Sequence, residues 1–457
     1  MPDSDSSPHF AAATRDDVYT SVAHSATPTL QGGLRERIAA LGPLDFAEFM
    51  AAALYHPEFG YYARTARQVG RGGDFFTSVS VGPLFGELLA RRFGRWWREA
   101  GNPRNWRLIE SGAHDGRLAA DILAALSLLE PAAFAALEYA IPEPLPRLQA
   151  AQRQTLRPFA ERVRFLADPA ELASQPLPGI AFGNEVLDAL PCQVVEWQAD
   201  GWHLCRVGLD CSVSSEVGTR RLRAGCPGDR GADILPTAIF PLPSGTDTTV
   251  RMDHVGGTAD SQFCWDSQLP VSDPAQLAAL APLGREFPIG YRSELRTNYA
   301  GFFTPLLAGL SSGMLLWVDY GFARPDYYHP ARHQGTLRTF SHHRAGDNPL
   351  LDPGQTDISA HVDFTAVAEA AIAIGCRPLA FRNQAAWLTA VGRDWLLAME
   401  GKPDAGLLRQ FTTLTHPAQL GGRFHVLELA WNDPAAVTLP AADCHRLAMG
   451  VDNDKEC

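Results

Sequence analysis

Along residues 32–62 apolar positions recur at the 3.6-residue interval of amphipathic helices, in LRERIAALG and then LDFAEFMAAALY. The stretch HPEFGYY at 56–62 breaks that period with turn chemistry. Gly82-Pro83 opens a further helix with Leu84, Phe85, Leu88, Leu89 and Phe93 on one face. Between them, residues 70–78 are glycine-rich and end in Thr77 and Ser78. They read equally as a flexible connection or as a lid, on which Asp74, Thr77 and Ser78 concentrate polar groups. At 106–123, WRLIESGAHDGRLAADIL predicts an apolar strand (Leu108, Ile109), an acid at its tip (Glu110), a turn bearing Gly112 and Gly116, and a helix to about 128.

The same unit then repeats. A strand at 137–141 ends at Glu143, and Pro144 leads into the helix PLPRLQAAQRQTL. A third strand at 162–166 hands over through Asp168-Pro169 to a short helix, and a fourth at 179–183 ends in Asn184-Glu185, followed by VLDALP. Strands alternating with helices at this spacing predict a parallel, doubly wound α/β sheet.

From 192 to 209 the pattern alternates as in a β-hairpin, with Ala199-Asp200-Gly201 as its turn. Residues 210–275 lose periodicity and read as an inserted β-rich subdomain, with strands expected at 237–240 and 249–252. A helix is expected at 289–310, and a fifth strand at 313–320 ends in Asp319-Tyr320-Gly321. Residues 322–361 read as one long substrate-side loop holding Tyr327, Tyr328, His329, His333, His342 and His343. A helix at 362–375, a strand at 377–382, a helix at 387–400 and a last strand at 423–431 complete the chain. The implied organisation is a disordered tail (1–30), an N-terminal helical and lid segment (31–105) and the first half of the core (106–209). An insertion (210–287), the second half of the core (288–433) and a C-terminal tail (434–457) follow.

Composition narrows the function. A net charge of −12 argues against sequence-independent nucleic-acid binding, and the row Arg91, Arg92, Arg95, Arg98 reads as a solvated helix face. No apolar window is long enough to span a membrane. The eight cysteines form no C-x-x-C pair, which fits a reducing cytoplasm. Pro330 separates His329 from His333 on any shared helical face, so no metal is expected. What stands out is that successive strand tips carry Glu110, Glu143, Asp168 and Asn184-Glu185. In open α/β sheets those tips surround one crevice, where carboxylates suit ribose hydroxyls.

The ordered set LYHPEFGYY, GDFFTS, FGELLA, ESGAHDGRLAAD, YAIPEP, NEVLDALP, YRSEL, DYG, GTLR and PGQTDISAHVDF, spanning about 34 to 430, resembles the MidA family. That resemblance implies an S-adenosylmethionine-dependent methyltransferase with the class I, Rossmann-like seven-strand fold. The family's mitochondrial members resemble protein arginine methyltransferases needed for assembly of respiratory complex I. It implies Glu110, Gly112 and Gly116 at the cofactor turn, Glu143 at the ribose and Gly73, Asp74, Thr77 and Ser78 in a covering loop. Asn184, Glu185 and Asp188 then stand where cofactor and target meet. From their own places at strand tips and in the long loop, and not from the resemblance, Asp168 joins the cofactor set and Asp319, Tyr320, Tyr327 and His343 the substrate set. The chain departs at His114, where the family usually has glycine, and at Val79-Ser80, where it usually has Pro-Glu.

Glu185 and Asp188, one helical turn apart, suit bidentate hold of a guanidinium, and tyrosine faces suit its charge. The expected reaction is therefore arginine N-methylation of a protein substrate, by a cytoplasmic protein that is a monomer or a homo-oligomer. A non-catalytic assembly factor that kept the fold, and a small-molecule methyltransferase, are the alternatives. A dinucleotide oxidoreductase is disfavoured, because the turn lacks G-x-G-x-x-G.

Overall fold

Seven strands make the main path of the eight-stranded central sheet: β1 (Trp106–Ser111), β2 (Leu137–Pro142), β3 (Val163–Leu166), β4 (Leu177–Asn184), β5 (Leu310–Phe322), β6 (Cys376–Asn383) and β7 (Phe424–Trp431); the two-residue strand Val362–Asp363 pairs in parallel with the end of β5. Their order is β6-β7-β5-β4-β1-β2-β3, and only β7 runs against its neighbours. This is the doubly wound class I arrangement expected from the strand–helix alternation. The computed structural model describes residues 29–64, 77–210, 262–284, 287–341, 344–399, 401–433 and 446–447. The strands expected at 237–240 and 249–252 and both expected tails lie outside these residues, save Thr29, Leu30, Arg446 and Leu447 at their edges.

The strands are apolar on both faces because helices cover both. All six residues of β1 are buried; Trp106 and Leu108 enter one core layer, and Ile109 enters the other. In β5, Met314, Leu316 and Val318 face the first layer, while Leu315 and Trp317 face the second. The helices Leu84–Glu99 and Arg117–Leu129 cover the first, and Tyr299–Ala308 and Phe364–Ala373 the second. The sequence pattern missed several helices, among them Pro274–Leu280 and Ala405–Thr415, whose Leu414 adds to the first layer.

Four expectations change. Residues 289–310 do not form one helix. Gly290, at φ +84°, turns the chain into the strand Arg292–Leu295, and the helix begins only at Tyr299. The strand edge offered by Gln193–Gln198 takes up those residues in antiparallel pairing. Residues 322–361 are not one loop either. They hold a short helix (Arg324–Tyr327) and an antiparallel sheet of Arg344–Gly346, Arg338–Ser341 and Asp357–Ser359. Gly392 divides the helix expected at 387–400 into Gln384–Val391 and Arg393–Ala398.

The arginine row is not uniformly solvated. Arg92 turns inward to a two-pronged pair with Glu428 of β7 (Nε–Oε1 3.0 Å, Nη2–Oε2 2.9 Å), and Trp387 donates to the same carboxylate at 2.8 Å.

A second sheet packs beside the first, in the order Gln262–Pro270, Gly201–Asp210, Gln193–Gln198, Arg292–Leu295. The hairpin expected at 192–209 is present, with Gln198 paired to Gly201. Asp210 pairs with Gln262, so the chain leaves this sheet and re-enters it at one register position. The helices Leu30–Leu41 and Phe46–Tyr55 lie on it, Phe46 against Trp265 and Phe49 against Phe263. This brings the tyrosines at the end of the second helix over the carboxyl ends of β4 and β5, where Tyr55 donates to the carbonyl of Ala189 at 2.9 Å.

Candidate active site

The strand order reverses between β1 and β4, and a cavity of about 810 Å³ opens beyond their carboxyl ends. One side is built by the turn after β1. Gly112 (φ +71°), His114 (φ +46°) and Gly116 (φ +81°) all take the left-handed conformation. A Cβ on Gly112 would lie 2.6 Å from Val186 Cγ2, so this backbone has no room for a side chain. His114 adopts the bend with a side chain present and lines the cavity. Gly116 stands at the N-cap of the helix Arg117–Leu129, just behind the lining residues Asp115 and Arg117.

Two buried carboxylates flank this turn. Glu110 accepts from the Tyr139 hydroxyl at 2.6 Å, and burial pushes its carboxyl up to about 7 despite that bond. Glu143, after β2, accepts from the Leu145 N–H at 2.9 Å and from Gln152 at 3.0 Å; burial again raises it to about 7. Gln152 also donates to the His114 carbonyl at 3.0 Å, tying the turn to the acid.

The other side is acidic too. At the end of β4, Glu185 sits at φ +55°, a conformation that costs a non-glycine residue about 1–3 kcal/mol and is found at functional sites. Asn184 donates to its carboxylate at 3.0 Å, and the Ser78 N–H also bonds it. Burial first, then the neighbouring Asp188, pushes Glu185 up to about 8. Asp188 is buried, and Tyr320 donates to its Oδ2. Its Oδ1, like Asn184 Oδ1, is a buried acceptor with no hydrogen-bond partner. Tyr62 donates to Asp357 at 2.9 Å and stacks on Tyr55, both tyrosines lining the cavity. His361 lies edge-on to Tyr320 and Phe322. Burial and the guanidinium groups of Arg332, Arg338 and Arg296 lower it to about 4, so its ring is neutral at physiological pH.

This wall is held by groups behind it. Asp319 does not line the cavity. Its Oδ2 accepts from the backbone N–H groups of Val186, Leu187 and Asp188 (3.1, 2.9 and 3.3 Å), fixing the loop that carries Glu185. The buried Arg296 donates to the carbonyls of Asp188, Leu190, Ala360 and His361, joining two distant loops. Glu294 accepts from the Thr336 N–H, the Thr336 hydroxyl and the Leu337 N–H at 2.8, 2.8 and 3.0 Å. Gly335, at φ +72°, lets that turn approach the acid, since a Cβ there would collide with Glu294 Oε1.

The expected residues therefore divide. Thr77, Glu110, Gly112, Glu143, Asn184, Glu185, Asp188 and Tyr320 line one cavity. Ser78 contributes its backbone, while its hydroxyl points to Gln384 at 3.1 Å. Tyr327 is a correction, because its hydroxyl is directed to Glu294 behind the wall; Tyr328 does the same. Asp168 is another. It is half-buried, does not line the cavity, accepts from the Ala170 N–H at 2.8 Å and caps the helix Pro169–Ser174. Gly73, Asp74 and His343 lie outside the described residues. Tyr55, Tyr62, Asp357 and His361 were not singled out as site residues, although the first two fall within the LYHPEFGYY motif and the last two within PGQTDISAHVDF. Among the described residues no metal-binding cluster occurs, and no helix is long and apolar enough to cross a membrane.

Residues 88–382 match the model of a family described as "Putative S-adenosyl-L-methionine-dependent methyltransferase". The chain is 28% identical over 425 residues to the mitochondrial protein arginine methyltransferase NDUFAF7 homolog of Drosophila melanogaster, covering 90% of this chain and 86% of that one. It is 24% identical over 436 residues to the mitochondrial protein arginine methyltransferase NDUFAF7 of Homo sapiens, covering 88% and 83%. A crystal structure of a COG1565 superfamily member from Burkholderia thailandensis, bound to S-adenosyl-homocysteine, superposes with a TM-score of 0.70 at 30% identity. The match covers 89% of this chain and 93% of that one.

Proposed function

The chain belongs to this S-adenosyl-L-methionine-dependent methyltransferase family, and from that premise we propose that its methyl acceptor is the guanidinium of a protein arginine. The cavity's donor and acceptor set fits the cofactor: an open glycine backbone at 112, and Glu143 with carboxylate lone pairs for paired hydroxyls. When bound, the cofactor supplies an electrophilic methyl group on a sulfonium.

The protein's part is to hold and orient the nucleophile, exclude water and accept a proton. The observation that carries the arginine reading is the acidic floor. Glu185, Asp188 and Asp357 lie together under tyrosines, and the acceptors Asn184 Oδ1 and Asp188 Oδ1 have no donor of their own. A guanidinium brings five N–H donors in a plane and a delocalised charge that suits aromatic walls. Glu185 and Asp188 then orient the attacking nitrogen, and Glu185, poised near 8, takes the proton released as that nitrogen is alkylated. The relatives named as arginine methyltransferases support the same reading.

The test is incubation of the full chain with methyl-labelled S-adenosylmethionine and arginine-containing proteins or peptides, followed by hydrolysis. Label in methylarginine is expected. Glu185→Gln should lower kcat by about 10²–10³-fold, the range for losing one oriented electrostatic contact, while cofactor affinity by calorimetry changes little. Loss of cofactor binding in Glu185→Ala with acceptor binding intact would sink the role given to Glu185. Placement in the cytoplasm belongs to the same proposal, and fractionation of the native host checks it.

A further inference from the structure

The charges around the cavity are sorted by depth. Its carboxylates, Glu110, Asp115, Glu143, Glu185, Asp188 and Asp357, are all buried or half-buried. Among the described residues the four lining arginines, Arg64, Arg117, Arg338 and Arg423, are exposed. Arg117 has a local partner, with Nη2 3.2 Å from Asp115 Oδ2, and belongs to the turn after β1. The other three form no ion pair among the described residues. The chain carries 51 acidic and 39 basic side chains, so an all-arginine rim above an acidic floor runs against the charge of the whole molecule.

An acceptor that reaches this floor must pass the rim. The floor attracts a cation, and the rim attracts an anion beside it. Resting on the arginine reading above, we propose that Arg64, Arg338 and Arg423 form a specificity subsite for acidic residues flanking the target arginine. The preferred acceptor is thus a bipolar segment, with one arginine between aspartates or glutamates. The mouth is composed from three separate regions, because Arg64 follows the tyrosine turn, Arg338 sits on the three-stranded sheet and Arg423 immediately precedes β7. A segment engaging all three is therefore read on more than one side of its arginine.

The experiment uses the full chain, labelled cofactor and matched peptides carrying a central arginine, flanked by Asp/Glu, by Asn/Gln or by Lys. The acidic peptides should show KM lower by about 2–5-fold per engaged rim arginine, the range for exposed ion pairs, and the advantage should shrink as salt rises. Arg338→Glu and Arg423→Glu should transfer the preference to the Lys-flanked peptides, leaving cofactor affinity by calorimetry unchanged. A structural role for these arginines would not invert the order of the peptides. Equal KM across the three sets would overturn the subsite while leaving arginine methylation standing. A weakened cofactor Kd in the charge-reversed variants would overturn it too, assigning the rim to the cofactor. Absence of label from every arginine peptide would remove the arginine reading and this subsite with it.

Discussion

The two walls of the cavity are made in different ways. The cofactor-side wall is almost continuous in sequence: strand, turn, helix, strand and acid follow one another between 106 and 152. The acceptor-side wall gathers Tyr55 and Tyr62, the loop 184–190, Tyr320 and residues 336–361, and is fastened from behind by Asp319, Arg296 and Glu294. Local backbone geometry suffices for a wall whose ligand is fixed by glycines and one helix N-terminus. A wall gathered from distant loops needs buried polar groups elsewhere in the chain to hold the backbone of those loops, because backbone N–H and C=O groups left unpaired there are costly. Damage to one wall should therefore be separable from damage to the other.

The strongest separation comes from the glycine turn. Gly112→Val puts a branched side chain where a Cβ already collides with Val186, at a positive φ. Cofactor affinity by calorimetry should fall at least about 100-fold, a loss near 3 kcal/mol, while acceptor peptide loses less, through the push on Val186 of the loop 184–190. Equal loss of both would mean that the walls are not independent.

Next is Glu294→Ala, which strips the Thr336-Leu337 turn of its acceptor. The fold should lose about 3 kcal/mol, as when one partner of a buried charged network is removed. Acceptor KM should rise while cofactor Kd holds, read by thermal unfolding and steady-state kinetics.

The pH profile is a milder probe. Glu185 is raised to about 8, so it is largely protonated and neutral below that pH in the free enzyme. kcat/KM for an arginine peptide should rise as pH climbs through 8 and level above it. The linkage for stability has the opposite sign. Between the unfolded value near 4.5 and the folded value near 8 the native state binds more protons, so stability falls as pH rises across that window. Glu185→Gln should flatten both curves.

The smallest effect is expected for His114→Gly. Relief of a left-handed side-chain residue should add about 1 kcal/mol at most to stability. Cofactor affinity should move less than about three-fold, because the bend is already made.

The sheet was legible because its strands are apolar on both faces and alternate with amphipathic helices, a pattern carried by neighbouring residues. The cofactor wall was legible for the same reason. Asp168 misled because an acid after a strand looks like a ligand group. The Asp-Pro-Ala-Glu run at 168–171 is a capping box, and that spacing was present to be read. The acceptor wall was only partly legible. Glu294 sits in a strand that the apolar residues around it disguise as a helix, and Arg296 acts through carbonyls more than sixty residues away in each direction. Nothing in local periodicity brings Tyr62 to Asp357, a separation of 295 positions.

The pairing of Asp210 with Gln262 bears on how this chain tolerates change in length. The strands on either side of the insertion are held in register by their own ladder, independent of what joins them. Between ends fixed in this way, each doubling of the joining length adds only about 0.6 kcal/mol of closure entropy. This is therefore a point where the chain can be lengthened or shortened at little thermodynamic expense. A short turn in place of residues 211–261 should leave the small sheet, and the tyrosines supported on it, where they stand.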